Sequence, residues 1–288
     1  MELGIHFPNF TLPGEPDTLA GALASTAKTA EEVGCTTFTL MDHWFQMETM
    51  ATREEPMLEG YTSLGFLAGQ TSTISLSLLV TGVTYRHPGL LAKIVTTLDV
   101  LSGGRAMFGI GAAWYEREHL GLGVPYPSTR ERFERLEETL QIVKQAWNGG
   151  GTFDGKHYQL EELTVVPQPL RPGGPRVVVG GTGERKTLRL VAQYADACNL
   201  FLAPPEEIAH KLDVLRGHCE AVGTDYDALE KTMIFRGDPT EDPDAFLAVM
   251  ETYATLGISM ITMVPVGDDP VSWTSSMCER VVPRLAEV

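Results

Sequence analysis

Short apolar runs and longer amphipathic stretches alternate along the whole 288-residue chain. The runs are Leu3–Phe7, Thr36–Leu40, Ile74–Val80, Arg105–Gly109, Val177–Val179, Asp196–Leu200, Thr232–Phe235 and Met260–Val264. They are nearly continuous in apolar and β-branched residues, as expected of strands buried on both faces of a parallel sheet. Each is followed by a predicted helix: Asp17–Val33, Pro56–Gln70, Pro88–Leu101, Thr129–Asn148, Glu184–Tyr194, Pro205–Val222, Asp242–Leu256 and Pro270–Leu285. Parallel pairing needs such crossovers. Asp17 is the candidate N-cap of the first helix and Gly34 its stop. The clearest helix is Thr129–Asn148. There Phe133, Leu136, Leu140, Val143 and Trp147 recur at three- and four-residue steps and share one face.

Eight strand–helix units of this kind predict an α/β fold, a (β/α)8 TIM barrel occupying residues 1–288 as one domain. Two stretches break the rhythm. Gly111–Ser128 is a long excursion after the fourth strand. Residues 149–174 are rich in Gly and Pro, with a hairpin expected at Phe153–Lys156, and read as an insertion that lies as a lid over the site. The first turn, Pro8–Pro13, has no G-x-G-x-x-G, which argues against a dinucleotide-binding open sheet.

Composition narrows the partners. Lys and Arg number 22 against 38 Asp and Glu, for a formal charge of −16. That disfavours nucleic acid and anionic membrane surfaces, both of which want a basic face. It leaves room for an anionic small molecule, because helix N-termini hold phosphate through backbone amides. Cys35, Cys198, Cys219 and Cys278 form no closely spaced pair, which points to reduced thiols and a cytoplasmic setting. The opening MELGIHFPNF does not read as a signal peptide, and no window has the apolar length of a membrane helix.

In a barrel the chemistry sits just after each strand. That rule selects Asn9 and Phe10, then Asp42, His43 and Trp44, then residues 81–87, then Gly111, Ala112, Ala113, Trp114 and Tyr115, then Gly180, Gly181, Thr182 and Gly183, then Asn199. Asp42 and His43 are the acid–base candidates, since a neighbouring carboxylate can orient an imidazole or raise its pKa. A structural histidine donating to a carbonyl gives the same pattern. Gly180–Gly183 ahead of a helix can bring amides up to a phosphate; a tight turn needing φ > 0 reads identically. The small residues Gly111, Ala112 and Ala113 leave space for a flat ligand, with Phe10, Trp44, Trp114 and Tyr115 as pocket walls or as ordinary packing. No metal-ligand spacing is present, and Glu116 with His119 reads as a solvated helix face. No nucleophile elbow or Walker lysine occurs either.

At these positions the chain resembles the luciferase-like flavin and deazaflavin oxidoreductases. The matching stretches are LGIHFPNF, FTLMDHW, LLVTGVTYRHPGLLAKIVTTLDVLSGGRAMFGIGAAWYEREHLGLGVPYP and VVVGGTGERKTLRLVAQYADACN, which span most of residues 1–200. The long third block most resembles the branch that uses coenzyme F420. The resemblance implies hydride transfer between F420 and a small organic substrate, and a homodimer, which an apolar patch on the second and third helices would support. It places Asp42 and His43 at the reactive ring, and a non-prolyl cis peptide behind the ring at Gly82–Val83, next to Thr81. It also places Gly111, Ala112 and Ala113 along the ring and ribityl chain, and Gly180–Thr182 on the phosphate. Trp114 stands where sugar-phosphate dehydrogenases of the family carry a catalytic glutamate, so that role is not carried over, and no basic cluster in the second half marks a sugar-phosphate site. Two alternatives share the fold: an FMN-dependent two-component monooxygenase, and a barrel that binds a flavin without turnover.

Overall fold

The structure is a computed structural model that describes every residue but Thr49; the side chain of Cys278 also lies outside the described residues. In chain order the elements are β1 (Glu2–Phe7), α1 (Leu19–Glu32), β2 (Thr37–Leu40), α2 (Gly60–Ala68), β3 (Ser75–Leu78), β4 (Thr81–Gly82) and α3 (Pro88–Leu101). Then follow β5 (Met107–Gly111), α4 (Glu116–Leu122), α5 (Thr129–Trp147), the hairpin β6 (Gly151–Asp154) and β7 (Gln159–Leu163), β8 (Arg176–Gly180) and α6 (Thr187–Tyr194). The chain ends with β9 (Ala197–Phe201), α7 (Pro205–Val222), β10 (Glu230–Phe235), α8 (Pro243–Thr255), β11 (Met260–Met263) and α9 (Pro270–Leu285).

The parallel sheet runs β3-β2-β1-β11-β10-β9-β8-β5-β4. Its two ends meet: Leu76 bridges Ala106 in parallel, and the Leu76 amide donates to the Arg105 carbonyl at 3.0 Å. β3 and β4 are halves of one barrel strand, so eight strand positions close into the expected (β/α)8 barrel. Residues alternate across the wall. Ile5, Phe38, Leu76, Phe108, Val177 and Ile261 point outward into the layer between strands and helices, where each is at most 2% exposed. Thr37, Thr39, Ser77, Thr232 and Thr262 line a void of about 10 Å³ inside the barrel. The strands are buried on both faces, as their composition implies, but the inner face is furnished with hydroxyls. Cys198 belongs to the outer layer, and burial raises its thiol to about 11.

Some boundaries differ from the sequence expectation. α1 begins after Thr18, not Asp17, because residues 13–18 close into turns and the Thr18 hydroxyl is taken by the Pro13 carbonyl. α2 starts at Gly60, where the Glu59 carboxylate accepts from the Tyr61 and Thr62 amides. The excursion after β5 contains the two-turn helix α4, which shows no apolar period because its buried residues are Glu118 and His119. The expectation of a solvated face there fails for His119, which is fully buried with Nδ1 on the Tyr115 carbonyl and Nε2 on Thr84. The hairpin turns at residues 155–158, two residues later than expected. It is also not a lid. The Glu138 carboxylate of α5 accepts the Lys156, His157 and Tyr158 amides and pins the hairpin to the barrel's flank, and no residue of 149–174 lines the cleft at the mouth.

Candidate active site

A cleft of about 560 Å³ opens at the C-terminal ends of the barrel strands. β1 contributes His6; the end of β2 gives Met41, Asp42 and His43; Leu79–Gly82 come from the broken third strand. β5 and the loop after it supply Gly111–Trp114, and β8 supplies Gly180 and Gly181. Asn199, Phe201, Ile234 and Arg236 complete the ring from β9 and β10.

The third strand breaks at a cis peptide between Leu79 and Val80. The expected site at Gly82–Val83 is therefore three residues too late, and Val83 is buried in the core instead of facing the cleft. Val80 fills the space that glycines leave. A Cβ on Gly111 or on Gly180 would come within 2.9 Å of a Val80 methyl. The small residues read as room for a ligand thus first make room for this side chain, which then forms the floor. Gly82 is required for a different reason: a Cβ there would meet the Tyr85 ring at 2.6 Å.

Asp42 does not orient His43. Its carboxylate accepts Arg86 through both oxygens, at 2.7 and 3.0 Å, and the Gly82 amide at 3.0 Å. Burial works against both charges, but contact with Asp42 holds the Arg86 guanidinium above its ordinary pKa. Asp42 therefore ties the β2 end to the β4 turn. The carboxylate on His43 is Glu118, fully buried on α4, whose Oε1 lies 2.8 Å from His43 Nδ1. Its Oε2 accepts the Trp44 amide at 2.8 Å, and the Tyr85 hydroxyl donates to Oε1. Burial pushes the Glu118 carboxyl up, yet the bonds from His43, Trp44 and Tyr85 outweigh it and leave the pKa below the usual glutamate value. With Nδ1 donating to a carboxylate, the other ring nitrogen of His43 is left for the cleft. Glu118 lies 75 residues from His43 on a polar stretch, so no local spacing announces it.

The aromatic candidates divide. Trp114 lines the cleft, 56% exposed, with its ring 5.6 Å from that of His43. Tyr115 is buried behind it, its hydroxyl bonded to Glu48, and does not line the cleft. Trp44 turns away to pack on Tyr85 and Arg86. Phe10 is corrected outright: it is 2% exposed and stacks edge-on against Phe7 in the core. Met41, Met47, Phe133 and Phe201 provide the apolar walls instead. Arg132, one turn before Leu136 on the buried face of α5, secures the rim by donating to the Ala112 and Pro127 carbonyls.

At the glycine-rich turn, Gly180 and Gly181 face the cleft while Thr182 and Gly183 do not. Gly181 sits at φ +122°, closed to other residue types. Gly183 packs on Thr187, and α6 begins at Thr187 instead of Glu184, so the helix N-terminus stands three residues farther from the strand than expected. The Leu188 amide of its first turn donates to the Gly183 carbonyl at 3.1 Å, and Thr187 lines this end of the cleft. Among the described residues no cluster of His, Cys, Asp and Glu could hold a metal ion.

Comparison with known proteins agrees with the fold. The sequence profile of a family described as luciferase-like monooxygenase matches residues 1–260. An F420-dependent glucose-6-phosphate dehydrogenase of Kineococcus radiotolerans is 31% identical over 271 residues, covering 93% of this chain and 78% of its own length. The coenzyme F420 dependent tetrahydromethanopterin reductase of Methanopyrus kandleri superposes with a TM-score of 0.82 at 16% identity, covering 99% of both chains. The monooxygenase RslO1 of Streptomyces bottropensis superposes with a TM-score of 0.79 at 18% identity, covering 98% of this chain and 99% of its own.

Proposed function

The chain belongs to the luciferase-like monooxygenase family, and on that premise we propose that it is an F420-dependent oxidoreductase, moving a hydride between coenzyme F420 and a small organic substrate. The similarity to the F420-dependent dehydrogenase over most of both chains supports the cofactor. The observation that carries the chemistry is the pair His43–Glu118, a cleft-facing imidazole backed by a buried carboxylate at 2.8 Å.

The residues present fit such a group. The cleft lies within the roughly 300–1,000 Å³ of small-molecule sites, and is mostly apolar with a few polar groups around its edge. Thr81, Gly82 and the Val80 floor between Gly111 and Gly180 would hold the ring, with Ala112 and Ala113 beside it. Gly180, Gly181 and the α6 N-terminus would hold the phosphate, with Thr182 and Gly183 shaping that turn. When bound, the deazaflavin supplies the hydride chemistry, and the protein supplies position and charge. His43 holds or releases the accompanying proton at Nε2. Glu118 fixes the tautomer and the ring's orientation, the part the sequence reading gave to Asp42. Trp114, Met47 and Phe201 exclude water and shape the substrate pocket.

We assign residues 1–288 to one barrel domain and the protein to the cytoplasm, in keeping with buried cysteines at 198 and 219. Among the described residues no helix is long and apolar enough to cross a membrane. Phe66 on α2 and Leu90 and Leu101 on α3 stand exposed, which supports a homodimer through these helices; light scattering on the purified protein tests it. The functional reading is tested by fluorescence titration with F420 and FMN in parallel. Micromolar or tighter F420 binding with FMN much weaker is the expected result. FMN binding alone, accompanied by oxygen consumption, would replace the reading with a flavin monooxygenase.

A further inference from the structure

At the floor of the cleft, His6 near the end of β1 is 4% exposed and lies outside the proton machinery described above. Its Nδ1 is 2.9 Å from the Thr39 hydroxyl oxygen. That hydroxyl is already committed, since it donates to the Ile5 carbonyl at 3.2 Å. A hydroxyl has a single proton to give, so towards His6 it can only accept. His6 Nδ1 therefore carries the hydrogen, and Nε2 keeps its lone pair. The tautomer is thus assigned from the partner at Nδ1. Among the described residues no hydrogen bond reaches Nε2, and the ring lines the cleft. Burial first, then Arg236 just beyond β10 and His43 just beyond β2, bring the imidazole pKa down to about 3. Two imidazoles thus share one cleft with opposite duties, a division that environment alone can impose. His43 has a carboxylate behind it and can carry charge. His6 has a hydroxyl behind it and the Arg236 guanidinium nearby.

We propose that His6 is a ligand-reading residue of the active site: its Nε2, held as an acceptor by Thr39 and turned into the cleft, receives a neutral N–H or O–H group of the bound molecule. A neutral acceptor of this kind recognises a donor and leaves its proton in place, whereas His43 exchanges one. Two sources present such a donor, the lactam N–H of the deazaflavin ring and a hydroxyl of the substrate. A ligand that brings only acceptors to this point leaves Nε2 buried and unmatched, which is costly. The inference rests on the F420 reading for the identity of the ligand, and on Thr39 and Ile5 for the direction of the hydrogen bond.

Nitrogen NMR on wild-type protein labelled at histidine tests both parts, with a His6→Gln sample used to assign the signals. The unliganded protein should show one pyrrole-type and one pyridine-type nitrogen for His6 at neutral pH. Coenzyme F420 should then move the pyridine-type signal towards the pyrrole-type value if the ring is the donor. The same movement on adding 2-propanol to the F420 complex, and not before, assigns the donor to a substrate hydroxyl. A protonated Nε2 in the unliganded protein overturns the inference, as does a signal that stays still with F420, with F420 and 2-propanol, and with FMN. A signal moved by FMN in a protein that leaves F420 fluorescence unquenched refutes the F420 reading and upholds the role of His6. As a binding measurement, His6→Leu should weaken F420 or substrate binding roughly threefold to tenfold, and His6→Gln, which keeps a carbonyl acceptor, should recover most of it.

Discussion

Glu118 acts on the cleft only through His43, so removing its charge differs from removing the imidazole. His43→Gln should lower kcat by roughly 10²- to 10⁴-fold, the usual share of general acid–base catalysis, while the coenzyme dissociation constant changes little. Glu118→Gln should lower kcat less and displace the pH profile, because the imidazole stays in place without its counter-charge. It should also cost stability, since an amide cannot accept from His43, Trp44 and Tyr85 together as the carboxylate does. The sign of the pH effect follows from the depressed pKa of Glu118. Its contribution is complete above the unfolded-state value of about 4.3 and is lost as pH falls through the lower folded value. The stability gap between wild type and Glu118→Gln, read from urea unfolding, should therefore be constant near neutrality and shrink in acid below about pH 4. His6 behaves differently. Its folded pKa, near 3, lies well below the ordinary histidine value of about 6.5. Below 6.5 the unfolded chain takes up a proton that the folded ring refuses, so stability falls with pH. Between neutrality and pH 5 the loss comes to about 2 kcal/mol, a slope that His6→Gln should remove. An unchanged slope in that variant would mean that His6 is protonated in the folded protein.

The broken third strand organises the elements around the site. The Leu78 carbonyl occupies the space where Gly109 lacks a side chain, and Val80 sits between Gly111 and Gly180. Gly180→Ala should cost about 1–3 kcal/mol of stability, as overpacking does, and weaken coenzyme binding. Adding Val80→Ala should return part of that stability, so a double-mutant cycle would show coupling between the two positions. Additive effects would mean that Val80 is free to move aside. The place of this break was not legible in the sequence, where the family resemblance put it three residues late. Ile74–Val80 reads as one apolar strand, and its last residue, Val80, packs against glycines 31 and 100 residues away. The barrel itself was legible, because α3, α7 and α9 each carry a proline at the start, with their ends falling where expected. The strand-end rule reached His43, Thr81, Gly111 and Gly180 for the same reason: position along a barrel strand is itself the signal. It could not reach Glu118, which stands on a seven-residue helix whose buried face is polar, nor His6, which lies within a strand instead of beyond it.

At the scale of the whole molecule, a chain of net charge −16 is proposed to hold an anionic coenzyme. Cleft geometry resolves the tension. Asp42 is neutralised by Arg86, and Glu118 accepts from His43, Trp44 and Tyr85, so the carboxylates nearest the cleft are already partnered. The phosphate is assigned to the amide-rich turn before α6, and Arg236 adds a positive charge at the cleft edge. The remaining acidic charge is distributed over the surface, where salt screens it beyond about 10 Å at 0.1 M. Coenzyme binding should therefore survive the overall repulsion and grow modestly faster as ionic strength rises from low values, the reverse of a site steered by a basic face. Binding must also appear as stability, because a ligand held only by the folded barrel shifts the unfolding equilibrium. F420 at 100 times its dissociation constant should add about 2.7 kcal/mol, a rise of several degrees in Tm for a barrel of this size. His43→Gln should keep nearly all of that rise while losing turnover, which separates an enzyme from a barrel that merely carries its coenzyme. A wild type stabilised by F420 but inert towards every alcohol and carbonyl compound tried, with His43→Gln indistinguishable from it, would favour the carrier. An absent thermal shift, with FMN producing one, would move the protein to the flavin-dependent side of its family.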